Sequence, residues 1–282
     1  MGIKGSLGSI LVWSQSKKGE TRNSLVMGRL GIEDSTKQLT YNLFNNTGAS
    51  WGPKGENIIF SAQTGEGSKV FFQGIRPLRL KSKEIFFDRG RGSSASWGSN
   101  GKIYLAKYTG EKNTDIYEYS VGSGPSLEMP RELTKHSAIE TEPVLSPDGK
   151  KLAYVSDRTG QPQVYLMDLS SKKVTRLSKK GGYNTSPAWS PDSSMVAFTS
   201  AQKGSKSAIY RVRVDDNLGT QTRVSPENIS SESPAWSPDG SMVAFQGFQG
   251  VWKIFYVLLS LIHISEPTRR YAISYAGFCL KK

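Results

Sequence analysis

Thiols and imidazoles are almost missing from this chain, which has one Cys and two His in 282 residues. A single Cys excludes a disulfide framework and any cysteine-rich zinc site, and two His leave little for a histidine-based metal centre. Long apolar runs are missing too. The run from Ile254 to Ile264 is 11 residues with His263 inside it, whereas a membrane-spanning helix needs about 20. No helical 3.6-residue period of useful length appears. Acidic residues are in deficit, 24 against 37 Lys+Arg, for a formal net charge of +13. Hydrophobic residues at 36% and aromatics at 10% nevertheless supply a sizeable core and exclude wholesale disorder.

The final stretch, LLSLIHISEPTRRYAISYAGFCLKK from Leu258, resembles translated sequencing-adapter sequence rather than a natural protein segment. Such scars are set aside before fold reasoning. Without residues 258–282 the balance is 33 basic to 23 acidic residues, a net +10. Cys279 and His263 go with the tail, leaving His136 as the one histidine and no thiol chemistry. No cofactor and no metal are expected.

A repeat of 44 to 48 residues organises the rest. ASWGPKGENIIFSA (49–62), ASWGSNGKIYLAK (95–107), PVLSPDGKKLAYVSD (143–157), PAWSPDSSMVAFTSA (187–201) and PAWSPDGSMVAFQG (234–247) align on Trp51, Trp97, Leu145, Trp189 and Trp236. A sixth copy without its head opens the chain at 9–40, and a period of this size means stacked supersecondary units. Units begin near 1, 49, 95, 143, 187 and 234.

Each unit has the grammar of four short antiparallel strands. Pro-x-Trp is the first. Ser-Pro-Asp-Gly follows with Pro and Gly at the second and fourth places of a type I turn, where a fixed φ and conformational freedom are favoured. The second strand alternates as in Lys151 to Val155, with a turn at Asp157 to Gly160. The third is Gln163 to Met167, and the fourth Val174 to Leu177. Residues 1–257 therefore read as an all-β, six-bladed β-propeller with its last blade incomplete. One tryptophan per unit at a fixed strand position points to packing between blades rather than ligand stacking. The stretch between Phe60 and Trp97 reads as two outer strands, and 120–130, SVGSGPSLEMP, as a surface loop inside a blade.

These units resemble the propeller of the TolB family over residues 2–257. Gly2-Ile3-Lys4-Gly5 before a strand at Ile10 to Trp13 is similar to that family's lead-in to the propeller. Thr141-Glu142-Pro143, Ser146-Pro147-Asp148 and Gly160 to Tyr165 look like its fourth blade. The resemblance implies a non-enzymatic periplasmic protein of the Tol–Pal envelope system, peripheral to the outer membrane and monomeric. It would bind the peptidoglycan-associated lipoprotein at the propeller mouth and support outer-membrane integrity and cell division. It also implies a fragment without signal peptide or N-terminal domain, so contact with TolA is not expected. A fragment with an unclosed ring would expose two blade faces and be marginally stable.

Residues just before each Pro-x-Trp enter the inner strands beside the central channel, where a rigid ring displays binding residues. The expected partner-binding set is Arg91, Ser94, Thr141, Glu142, Asn184, Thr185 and Glu232. By the resemblance, Thr141 and Glu142 match the family's partner-contacting Thr-Glu-Pro, while Arg91 stands where relatives place a histidine. The alternative role for these small polar residues is to satisfy backbone groups at strand ends.

Other features carry less. Asp215-Asp216, and Asp148 with Asp157, fall at turn positions where Asp is favoured locally. His136 lacks a second ligand. The runs Lys17-Lys18, Lys172-Lys173 and Lys179-Lys180 fall at hairpin turns and are solvated. The basic stretch 76–91, with Phe86 and Phe87 interleaved, is the one part resembling a nucleic-acid patch. No nucleic acid is expected. A second functional reading is the non-catalytic propeller domain of a prolyl-peptidase-like serine hydrolase, although no G-x-S-x-G lies within 1–257.

Overall fold

The computed structural model describes residues 9–16, 21–29, 32, 35–75, 82–85, 91–108, 113–121, 127–216, 218–259, 271–272 and 279–281. Residues 2–5, Lys17-Lys18 and most of 76–91 lie outside the described residues. Among the described residues the chain forms 24 strands in six four-stranded sheets. No helix among them is long and apolar enough to cross a membrane.

The sheets are the blades of a six-bladed propeller. Blade 1 holds β1 (Ile10–Ser16), β2 (Asn23–Arg29) and β3 (Lys37–Gln38). Blade 2 holds β4 (Asn45–Trp51), β5 (Asn57–Thr64), β6 (Gly67–Gly74) and β7 (Lys83–Ile85), and blade 3 β8 (Arg91–Trp97), β9 (Ile103–Tyr108), β10 (Thr114–Val121) and β11 (Leu127–Glu132). Blade 4 comprises β12 (Glu140–Leu145), β13 (Lys151–Ser156), β14 (Gln163–Asp168) and β15 (Val174–Arg176). Blade 5 comprises β16 (Tyr183–Trp189), β17 (Met195–Ala201), β18 (Ala208–Arg213) and β19 (Thr222–Arg223). Blade 6 holds β20 (Ser230–Trp236), β21 (Met242–Gln249), β22 (Val251–Leu258) and β23 (Tyr271–Ala272). The headless first unit takes its innermost strand from the far end of the chain, where β24 (Cys279–Lys281) pairs with Ile10 to Val12.

The turn chemistry works as the motif requires. Gly149 N donates to Ser146 O at 2.9 Å, and Gly149 has φ 74°. Asp148 Oδ1 accepts from Ser146 Oγ (2.6 Å) and Lys150 N (3.1 Å), so the turn's own side chains saturate its backbone. Ser237 and Asp239 repeat this pairing in blade 6. In blade 5 Ser193 stands where glycine is usual and adopts φ 62°.

The core sits in the crevices between blades. Along β13, Leu152 and Tyr154 pack toward blade 3 and Ala153 toward blade 5, because successive side chains of a strand point to opposite faces. Both faces are buried, which is why such strands are nearly continuous apolar runs. Each fully buried Leu, Ile or Phe contributes about 1.5–3 kcal/mol relative to exposure.

Three expectations change. The ring is closed: Met242 and Ile254 of blade 6 pack with Leu11 and Trp13 of blade 1, so neither blade presents a bare face. The segment set aside in the sequence supplies β23, pairing Tyr271 with Ile254, and β24. The loop expected over 120–130 is in part strand, since β10 runs to Val121 and β11 starts at Leu127, paired through a register shift between Glu118 and Ser120. That irregularity hides the strand from an alternation pattern. The stretch after Phe60 does hold two outer strands, β6 and β7.

Candidate binding site at the axial channel

Five inner strands, β4, β8, β12, β16 and β20, surround an axial cavity of about 670 Å³. Each carries a register slip against its neighbour at the same repeat position, as between Thr47 and Ser50 or between Thr141 and Val144. The bulged residue is left-handed every time: Gly48 φ 61°, Ser94 50°, Glu142 52°, Ser186 54° and Ser233 54°. A left-handed non-glycine residue costs roughly 1–2 kcal/mol. Its recurrence at one position shows that ring geometry imposes it, and the bulge turns those residues toward the axis.

Hydrogen bonds stitch the inner strands to one another. Ser50 Oγ accepts from Trp97 N at 2.9 Å, and Thr141 Oγ1 donates to Ser94 Oγ at 3.1 Å. Trp189 Nε1 donates to Val144 O (2.9 Å) and Trp236 Nε1 to Ala188 O (3.1 Å), so these indoles bind blade to blade.

Among the described residues, Glu142 and Glu232 are the ionisable ones of the wall, and no Lys, Arg or His is among the lining residues described. Glu142 Oε2 accepts from Ser186 N at 2.6 Å. Burial pushes its carboxyl above the ordinary value, against a smaller downward pull from that amide. Part of its side chain is still reached from the channel. Glu232 Oε1 accepts from Ser207 Oγ (3.1 Å), and its Oε2 from Gln246 Nε2 (3.3 Å).

The expected partner-binding residues divide. Ser94, Glu142 and Glu232 line the cavity. Thr141 and Thr185 are half-buried neighbours of lining residues rather than lining residues themselves. Arg91 is exposed at the start of β8, with its side chain against Gly67 of blade 2, away from the axis. Asn184 is a correction: it is fully buried, and its amide donates to Gln163 Oε1 (2.7 Å) and Lys180 O (3.0 Å). It is an internal strut with no surface for a partner. Lys179 and Lys180 lie between β15 and β16 rather than in a hairpin, their amides donating to Gln221 Oε1.

The remaining ionisable residues have local roles. Asp216 Oδ1 accepts from Leu218 N and its Oδ2 from Thr220 N, and Asp157 Oδ1 accepts from Ile139 N. His136 Nδ1 accepts from Ala138 N, and no group of residues able to hold a metal occurs among the described residues.

Sequence reasoning missed Gly48 and Ser50, the blade 2 counterparts, and Ser14, Ser61 and Gln246, which line the channel from second strands. Ser14, Ser61 and Gln246 share one repeat position, so extending the alignment into the second strand would have found them. Asn46, Glu140 and Asn184 likewise share a position one step before the wall, and all three are fully buried.

The TolB β-propeller domain family matches residues 68–264, more than two thirds of the chain. A TolB homologue of Chlorobium luteolum is 32% identical over 139 residues, 49% of this chain and 30% of its own length. The Tol-Pal system protein TolB of Bordetella pertussis is 40% identical over 52 residues, 18% of this chain and 11% of its own. These matched segments span less than a third of those relatives. The crystal structure of TolB from Acinetobacter baumannii superposes with a TM-score of 0.79 at 20% identity, covering 97% of this chain and 67% of that one. In repeat, fold and family match alike, the chain belongs to the TolB β-propeller family.

Proposed function

We propose that this propeller is the non-catalytic, lipoprotein-binding part of a periplasmic Tol–Pal protein. It would act as a monomer peripheral to the outer membrane, hold the peptidoglycan-associated lipoprotein at the channel mouth, and so support outer-membrane integrity and cell division. Family membership supports the system. The observation that carries the site is Glu142, a carboxylate held in left-handed backbone and poorly hydrated at a position where the other described inner strands have Gly or Ser. Strained, desolvated polar residues concentrate at functional sites. Ser94 and Thr141, joined by a hydrogen bond, extend that wall.

Calorimetry with purified lipoprotein tests this reading. Glu142→Ala is expected to weaken binding about fivefold or more, by loss of a recognition contact, with the melting temperature within a few degrees of wild type. Unchanged affinity would overturn the site assignment while sparing the fold.

A further inference from the structure

We infer that the axial channel binds an aliphatic diamine, its ammonium groups held by the carboxylates of Glu142 and Glu232. This goes beyond lipoprotein binding at the mouth, and either can fail without the other.

Charge partition is the first observation. The chain has 37 Lys+Arg and 24 Asp+Glu, yet among the described residues the ionisable ones lining the channel are two glutamates. Neither forms an ion pair among the described residues, and Glu142 Oε1 accepts no hydrogen bond among them. The two stand at adjacent repeat positions, Glu142 at the bulge of β12 and Glu232 just before the bulged Ser233 of β20, so they face the axis at similar depth two blades apart. Both carboxylates are half-buried, Glu232 meets only neutral donors, and Glu142 Oε1 is left facing the channel, so the two present negative charge that a cation can reach.

The second observation is independent of the acids. Ser14 and Ser61 are 0% and 7% exposed, line the same cavity from blades 1 and 2, and their Oγ atoms have no hydrogen-bond partner. They offer acceptors away from the glutamates. Between these polar groups the apolar part of the wall includes Trp51, Trp97, Trp189 and Trp236 together with prolines and small aliphatic residues. Indole faces attract organic cations, and apolar walls suit methylene chains. A compact metal ion would need several donors converging on one point, and no such group exists among the described residues. Acceptors spread around a cavity of about 670 Å³ fit an extended molecule charged at both ends.

The test is isothermal calorimetry of the whole chain with putrescine at low ionic strength and pH 7. Saturable one-to-one binding is expected, with none for 1,4-butanediol, which has the same chain without charge. Glu142→Gln and Glu232→Gln are each expected to weaken it about tenfold, the effect of losing one charge-assisted hydrogen bond. The double variant should abolish it. Glu227→Gln, on an exposed residue outside the channel, should change nothing. Putrescine should also raise the wild-type melting temperature but not that of the double variant, whose circular dichroism reports whether it is folded. Persistence of binding in a folded double variant, equal binding of the diol, or displacement of putrescine by equimolar calcium chloride would each overturn the proposal.

Discussion

The Ser186 amide donates to Glu142 Oε2 at 2.6 Å across the seam between blades 4 and 5. Both residues hold the same repeat position and the same left-handed backbone, φ 54° and 52°. Glu142 is thus tied to the next blade and directed at the axis by one geometry.

Its ionisation should register in stability. Burial raises the Glu142 carboxyl above its ordinary value of 4.5. An acid raised on folding stabilises the fold while protonated; the contribution is complete below 4.5 and lost as pH climbs through the raised value. Glu142→Gln keeps an acceptor for the Ser186 amide and removes the charge. It should melt above wild type at pH 7, with the margin vanishing as pH falls toward about 4. Circular dichroism melts across that range check this, and a pH-independent difference would contradict it.

A buried ion pair gives a larger effect. Arg158 Nη2 donates to Glu140 Oε1 and, at 3.0 Å, to the Tyr154 hydroxyl, with its guanidinium 4.7 Å from the Tyr165 ring centre. Arg158→Ala would strand a fully buried carboxylate and should cost about 3–5 kcal/mol. Glu140→Leu combined with Arg158→Met should recover much of that loss. Urea unfolding of the three proteins decides; a single variant as stable as wild type would mean water already reaches Glu140.

Two glycines make a sharp contrast. A Cβ on Gly247 would lie 2.6 Å from Phe255 Cδ2 and 2.7 Å from Ile229 Cγ2, inside the crevice between blades 5 and 6. Gly247→Ala should destabilise by about 1–3 kcal/mol through overpacking. At Gly182 the nearest atom is 3.8 Å away and φ is unremarkable, so Gly182→Ala should stay within about 0.5 kcal/mol. Equal effects at the two sites would refute the packing account.

Ring closure is separable from the tail. The cluster of Leu11, Trp13, Met242 and Ile254 lies wholly before residue 258, whereas β23 and β24 add five paired residues beyond it. A chain ending at Leu259 should therefore keep its β-sheet spectrum and cooperative unfolding with a modest drop in melting temperature. Loss of the cooperative transition would show that β24 closes the ring.

Strand number, turn positions and blade count were legible in the residues. They depend on local chemistry: Pro and Gly at set places in a turn, and one anchor residue per unit. Glu142, Ser94 and Glu232 were legible as wall residues because each stands beside a marked motif. Asn184 misled for the same reason. It too precedes a Pro-x-Trp, yet it stands two residues before the bulged Ser186, and its side chain turns into the blade, where Gln163 waits.

By itself, then, the sequence determined a tandem of four-stranded units, since period and turn propensity act over a few residues. Only the tertiary structure decided which of the polar residues before each inner strand face the axis and which, like Asn184, turn inward, and that blade 6 packs on blade 1. Those outcomes depend on bulges and on contacts between residues far apart in the chain, and no local pattern encodes the direction in which a bulged side chain points.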